Sequence, residues 1–174
     1  HSVPYALLAY QTAYLKANYP AEYIAACLTA VKRDKDRTAI FLSEARDMGV
    51  KVSTPDINLS SSDFTVNDNE ILFGLSAVRN VGDITADKIV FERESNGDFK
   101  SIEEFLSRID SRSLNKRGVE ALIQGGGLDK FGLTRKGMFD AAIDMIENAK
   151  EVKANKENNQ GSLFEICLLY TSPS

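Results

Sequence analysis

Residues 75–90 read LSAVRNVGDITADKIV. Leu75 and Val78 start a helical rhythm, Asn80-Val81-Gly82 interrupts it, and Ile84, Ile89 and Val90 resume it. So short a break joins two helices through a tight turn. Gly82 permits a positive φ and a close backbone approach, and the N–H groups from Gly82 to Thr85 are left unpaired at a helix start. Such donors suit an anion, and the commonest long anion is a nucleic-acid backbone. Arg79 and Lys88 would add charge on either side, while Asp83 is expected to cap the second helix. The same spacing also fits a plain αα corner closed by glycine, so both readings stand on these residues alone.

A looser copy follows in residues 114–132, LNKRGVEALIQGGGLDKFG. A helix carrying Val119, Leu122 and Ile123 begins at Asn115-Lys116-Arg117 and runs into a Gly125-Gly126-Gly127 turn. SIEEFLSRI, residues 101–109, lies between the two copies as a connecting helix. Two helix-hairpin-helix units joined in this way form a pseudo-twofold module able to track both strands of one duplex by its phosphates, without choosing a base sequence. The doubling favours nucleic-acid binding; the near balance of acidic and basic residues and the lack of aromatic stacking platforms weigh against it.

Working outward, helical spacing predicts helices over Pro4–Tyr19, Ala21–Val31 and Arg37–Gly49, with Pro20 opening the second. VKVSTPDIN, residues 50–58, is extended and broken by proline, and DFTV-NDN-EILF predicts a β-hairpin from Phe64 to Phe73. Helices then recur over Ser76–Arg79, Asp83–Ser95, Ser101–Arg108, Asn115–Gln124 and Thr134–Asn155. The fold class is mainly α with a small β-hairpin. KANKENNQGSLF, residues 153–164, reads as a polar linker carrying a short peptide, and EICLLYTSPS, residues 165–174, as a non-native tail.

With 174 residues, 43% of them hydrophobic and 26% charged, the chain can bury an ordinary core. A formal net charge of −4 supplies no global basic field, so any nucleic-acid binding must come from local geometry. No apolar run reaches membrane-spanning length, and the chain opens into a helix-like segment with no signal-peptide pattern, so a cytoplasmic protein without a membrane partner is expected. Two cysteines and one histidine give neither zinc spacing nor a disulfide framework. No metal ligands and no catalytic residues are assigned.

The segments HSVPYALLAYQTAYLKANYPAEYIAACLTA, ARDMGVKVSTPDIN, DFTVNDNEILFGLSAVRNVG, FKSIEEF and SLNKRGVEALIQGGGLDKFG together resemble the C-family replicative polymerases, the alpha subunits of bacterial DNA polymerase III, over roughly residues 1–140. The resemblance implies the end of the polymerase fingers at 1–58, a β-hairpin connector at 59–74 and a tandem helix-hairpin-helix domain at 75–150. A linker with a clamp-binding peptide would follow at 151–164. It implies DNA-directed DNA polymerase activity for the parent, with Mg held by palm carboxylates that lie outside this sequence. The fragment is therefore expected to need no cofactor and to be inactive alone. His1, Tyr5 and Lys16 fall on a helix that would lie toward the incoming nucleotide, although packing in a core also suits Tyr5 and Tyr10.

Implied partners are double-stranded primer-template DNA, the sliding clamp, the rest of the polymerase chain and other replicase subunits. The DNA-binding positions would be Arg79, Asn80, Val81, Gly82, Thr85 and Lys88 in the first unit, and Asn115, Lys116, Arg117, Gly125, Gly126 and Gly127 in the second. Gln160, Ser162, Leu163 and Phe164 resemble a clamp-docking motif, with Gly161 departing from the usual Leu. Asn80 departs from a usual Gly but tolerates the left-handed region, and Gly126 stands where Ala is frequent. Two other readings are a purely structural helical module and a helix-hairpin-helix DNA glycosylase using Asp98.

Overall fold

The computed structural model describes residues 1–171. Helix α1, Ser2–Asn18, leads into α2, Pro20–Val31, and α3, Lys35–Asp47. Pro20 sits in the first turn of α2, where a missing N–H costs nothing. Asp34 caps α3 by accepting from the Arg37 N–H, and Gly49, at φ 71°, turns the chain out of it. On α2, Ala21, Ile24, Ala25 and Leu28 are buried at i, i+3, i+4 and i+7.

Strands β1 (Val52–Ser53), β2 (Thr65–Asn67) and β3 (Glu70–Leu72) form a sheet of order β1-β3-β2. The predicted hairpin is β2–β3, antiparallel with Val66 opposite Ile71. Asp68 and Asn69 make its two-residue turn with φ of 49° and 62°, values that Asp and Asn tolerate better than other non-glycine residues. β1 pairs parallel with β3 and extends the hairpin to three strands; a strand of two residues carries no alternation by which it could be read. Phe64 and Ile71 pack with α2, Ala45 and Val50 in a first core, so the hairpin is part of that core and not merely a connector.

A second core gathers Ile57, Leu75, Ile89, Phe105, Leu122 and Met138, among others, from the remaining elements. These are α4 (Gly82–Asn96), α5 (Ile102–Arg108), α6 (Lys116–Gln124) and α7 (Arg135–Thr171). Phe73 packs against both cores. The Arg108 guanidinium lies 4.3 Å from the Phe99 ring centroid and bonds Glu92 at 3.0 Å and Glu104 at 2.9 Å, tying α4 to α5.

Three expectations need correcting. The helix predicted over Ser76–Arg79 is a single 3₁₀ turn, Leu75–Ala77, followed by extended backbone at Val78. Its first N–H groups, which a helix never satisfies internally, donate to the Ser61 carbonyl at 3.0 Å and the Ser62 carbonyl at 2.9 Å, and the extended backbone at Val78 ends the run after one turn. Tyr5 and Tyr10 are not core: α1 buries no residue, and these rings are 72% and 68% exposed because nothing among the described residues covers that flank. The linker expected over 153–164 is instead part of α7, which continues to Thr171. Its Lys, Glu and Ala are good helix formers, no proline occurs between Pro55 and Pro173, and Gly161 alone does not stop propagation. The tail expected at 165–174 is thus helical through Thr171, and its last residues lie outside the described ones.

Candidate nucleic-acid interface

The turn between the 3₁₀ segment and α4 is built by residue type. Val81 is 4% exposed and anchors it in the second core, with its N–H bonded to the Val78 carbonyl at 3.1 Å. Asn80 and Gly82 on either side have φ of 64° and 72°, the left-handed values that Asn and Gly accept most readily. Open space surrounds the position of a Cβ at Gly82. The N–H groups of Gly82, Asp83 and Ile84 precede the first intrahelical bond of α4, and no side chain caps the helix. Thr85 is buried, and its hydroxyl donates to the Ser113 carbonyl, so it is tied into the fold.

Asp83 does not cap α4 as the sequence suggested. Its carboxylate reaches back to the start of the chain, accepting from Lys32 at 2.5 Å through one oxygen and from Arg33 through the other. Hydrogen bonds from Lys32 and then Arg33 hold its pKa below the usual Asp value. Lys32 is pressed down by burial, but its bonds to Asp63 and Asp83 outweigh that and raise it.

The start of α6 docks on the same turn. A Cβ at Gly118 would lie 3.0 Å from the Asn80 carbonyl oxygen and 2.7 Å from Leu114 Cδ1, so glycine is what lets the helix come this close. Asn115 caps α6 by accepting from the Gly118 N–H at 3.0 Å, which makes its side chain structural. Lys116 and Arg117 are exposed beside the turn, and Lys88 donates to Ser113 Oγ at 2.7 Å. Arg79, Lys88, Lys116 and Arg117 form no ion pair among the described residues, so their charge is not neutralised within the fold.

The second turn is different. Gly125 N–H bonds the Ala121 carbonyl at 2.9 Å, Gly126 that of Ile123 at 3.1 Å and Gly127 that of Leu122 at 2.8 Å. Gly126, at φ 85°, is the left-handed residue of this helix C-cap, and the Gly127 carbonyl accepts from Ile57 at 2.9 Å. Asp129 and Arg135 close over the turn through two bonds of 3.2 and 2.9 Å, and Arg135 also donates to the Gln124 carbonyl at 3.0 Å. All three glycine N–H groups are therefore used within the fold, and Gly125, Gly126 and Gly127 form a corner with no free donors.

The remaining predicted positions are spread out. His1 and Tyr5 are exposed at the start of α1, while Lys16 pairs with Glu44 on α3, whose hydrogen bond and charge raise its pKa. Gln160, Ser162, Leu163 and Phe164 are exposed on the outer part of α7, with Leu163 and Phe164 62% and 68% accessible. Asp98 is exposed in a loop and lends its carbonyl to Arg108. Among the described residues no three His, Cys, Asp or Glu side chains converge. Sequence reading missed Ser113, Lys32, Arg33 and Gly118; a glycine inside KRGVE was the one available signal.

The family described as the helix-hairpin-helix motif matches residues 49–138. The chain is also similar to proteins named DNA polymerase III subunit alpha: it is 49% identical to that of Thermus aquaticus over 94% of its length, 47% identical to that of Saccharopolyspora erythraea over 88%, and 42% identical to that of Borreliella burgdorferi over 94%. It spans only 13–14% of the length of these relatives. No helix among the described residues is long and apolar enough to cross a membrane.

Proposed function

The chain belongs to the helix-hairpin-helix family, and from that premise we propose that it is part of a replicative DNA polymerase alpha subunit that holds primer-template duplex by its phosphates. The observation that carries this reading is the Asn80–Gly82 turn, where uncapped N–H donors stand beside unpaired Arg79, Lys88, Lys116 and Arg117. N–H donors at a helix start and point charges around them suit a phosphate oxygen and are indifferent to the base behind it. Only one of the two glycine turns offers such donors, so this grip is one-sided. Within the parent, polymerisation belongs to carboxylates outside this chain, and the isolated chain is proposed to be inactive, working with the rest of the polymerase and the replicase in the cytoplasm.

The decisive measurement is duplex binding by the full chain across a salt series. The four cations at the turn contribute about −3.6 to the slope of log K against log salt, and Lys116→Ala with Arg117→Ala should reduce its magnitude by about 1.8. A structural module without DNA binding would show no salt-dependent complex even at low salt.

The exposed end of α7 supports a second part of the proposal, docking onto the sliding clamp. Gln160, Leu163 and Phe164 stand at i, i+3 and i+4 on one helix face, with two large apolar side chains and no partner for them in the second core. A titration against the clamp checks it: Leu163→Ala with Phe164→Ala should weaken binding at least about tenfold, and unchanged binding removes this part without touching the duplex reading.

A further inference from the structure

The corner between α2 and α3 faces the Asn80–Gly82 turn across a groove of about 930 Å³, lined by Lys32, Arg33, Lys35, Thr38, Arg79 and Asn80. The cations on its two walls come from different cores. Lys32 is the structural member: its ammonium donates to Asp63 at 2.8 Å, to Ser76 at 2.9 Å and to Asp83 at 2.5 Å, and its side chain is only 15% exposed. Arg33 is 63% exposed and held by Asp83 alone, and exposed Lys35 has no ion pair among the described residues.

Asp83 thus presents two carboxylate oxygens to a lysine and an arginine, an arrangement those cations can equally offer to a phosphate. The Arg33–Asp83 pair is exposed on both sides, and pairs of that kind contribute little and yield to competing ions. A duplex backbone lying on the turn carries a charge every few ångströms and would pass along the same groove.

We propose that Arg33 and Lys35, on the α2–α3 corner, are further phosphate-binding residues for the duplex held at the Asn80–Gly82 turn, and that Asp83 is a built-in competitor that occupies Arg33 until a backbone phosphate replaces it. This rests on the duplex reading above and adds a cationic wall from the first core. Lys32 keeps Asp63 and Ser76 when Asp83 changes sides, so the two cores stay tied.

The test is a titration of the full chain with a duplex of arbitrary sequence over a salt series. Arg33→Ala with Lys35→Ala, both exposed, should lower the magnitude of the salt slope by about 1.8. Asp83→Asn should bind several-fold more tightly than the unmodified chain. It should also exceed Asp87→Asn, an equal charge change one turn along α4, and its excess should vanish when Arg33 is already Ala. The proposal is overturned if the Arg33/Lys35 variant keeps the original slope while Lys116→Ala with Arg117→Ala loses its share, or if Asp83→Asn and Asp87→Asn behave alike. Absence of binding by the unmodified chain overturns the duplex reading itself, and this one with it.

Discussion

The two glycine turns of the module use similar letters to opposite ends. At Asn80-Val81-Gly82 the chain enters α4 at once, so the helix start follows the left-handed residue directly and no side chain caps its first N–H groups. At Gly125-Gly126-Gly127 the chain must first close α6, then make a 3₁₀ turn over Asp129–Phe131, and only afterwards start α7. The donors are spent on the carbonyls of Ala121, Leu122 and Ile123. Each turn is followed by an aspartate, and the two differ in the same sense. Asp83 reaches across to Lys32 and Arg33 in the other core, whereas Asp129 folds back on Arg135 within its own turn. A left-handed glycine therefore does not by itself decide how the N–H groups of a turn are used; that depends on whether a helix begins or ends there.

The sharpest way to break this comparison is to add a methyl group at each left-handed glycine. Gly82→Ala and Gly126→Ala should each cost about 1–2 kcal/mol of stability, since both force an L-residue to positive φ. At Gly126 the new Cβ also comes within 3.1 Å of Arg135 and Asp129, so its loss should be the larger in denaturant unfolding. Duplex binding should separate them: Gly82→Ala should weaken it about tenfold, equivalent to 1.4 kcal/mol, and Gly126→Ala should leave both affinity and salt slope unchanged. Equal weakening by the two would mean that the second turn is also in contact with DNA and that its closed hydrogen bonding opens on binding.

How far these differences were legible in the sequence depends on the distance over which each is decided. Positive φ at Asn80 and Gly82, the Asp68-Asn69 hairpin and the caps at Ser101 and Asn115 follow from residue type within a few positions. In the second core Leu75, Val78, Ile89, Val119, Leu122 and Ile123 were readable from helical spacing, whereas Ile84, part of the same apolar rhythm in the sequence, is 73% exposed. The closure of the Gly125–Gly127 turn was in principle readable too, because glycine after a helix followed by buried Leu128 is a C-cap pattern; resemblance to the first turn drew the reading the other way. The Asp83 pairing was not readable. It joins residues some fifty positions apart, and only the packing of two cores around Phe73 brings them together. Exposure of α1 was hidden for the same reason, since helical spacing says which side is apolar but not whether anything covers it.

The smallest expected effect sharpens the same contrast by acid. The Arg135 hydrogen bond, then its charge, hold the Asp129 carboxyl below its ordinary value of 3.8 in the folded chain. A carboxyl whose folded pKa is depressed stabilises the fold above its unfolded pKa and loses that contribution as pH falls through the folded one. The Asp129–Arg135 pair is about half exposed, with 49% and 54% accessibility, so solvent screening limits its worth to well under about 1 kcal/mol. Asp129→Asn should therefore be slightly less stable than the unmodified chain at pH 7, and the gap should close as pH drops below 3.8. Urea midpoints at a series of pH values measure this directly. Duplex binding at pH 7 should not change, because the pair closes a turn that offers no donors. A gap that persists at low pH would mean that Asp129 acts by packing and not by charge, and improved duplex binding would mean that its carboxylate had been shielding the second turn as Asp83 is proposed to shield the first.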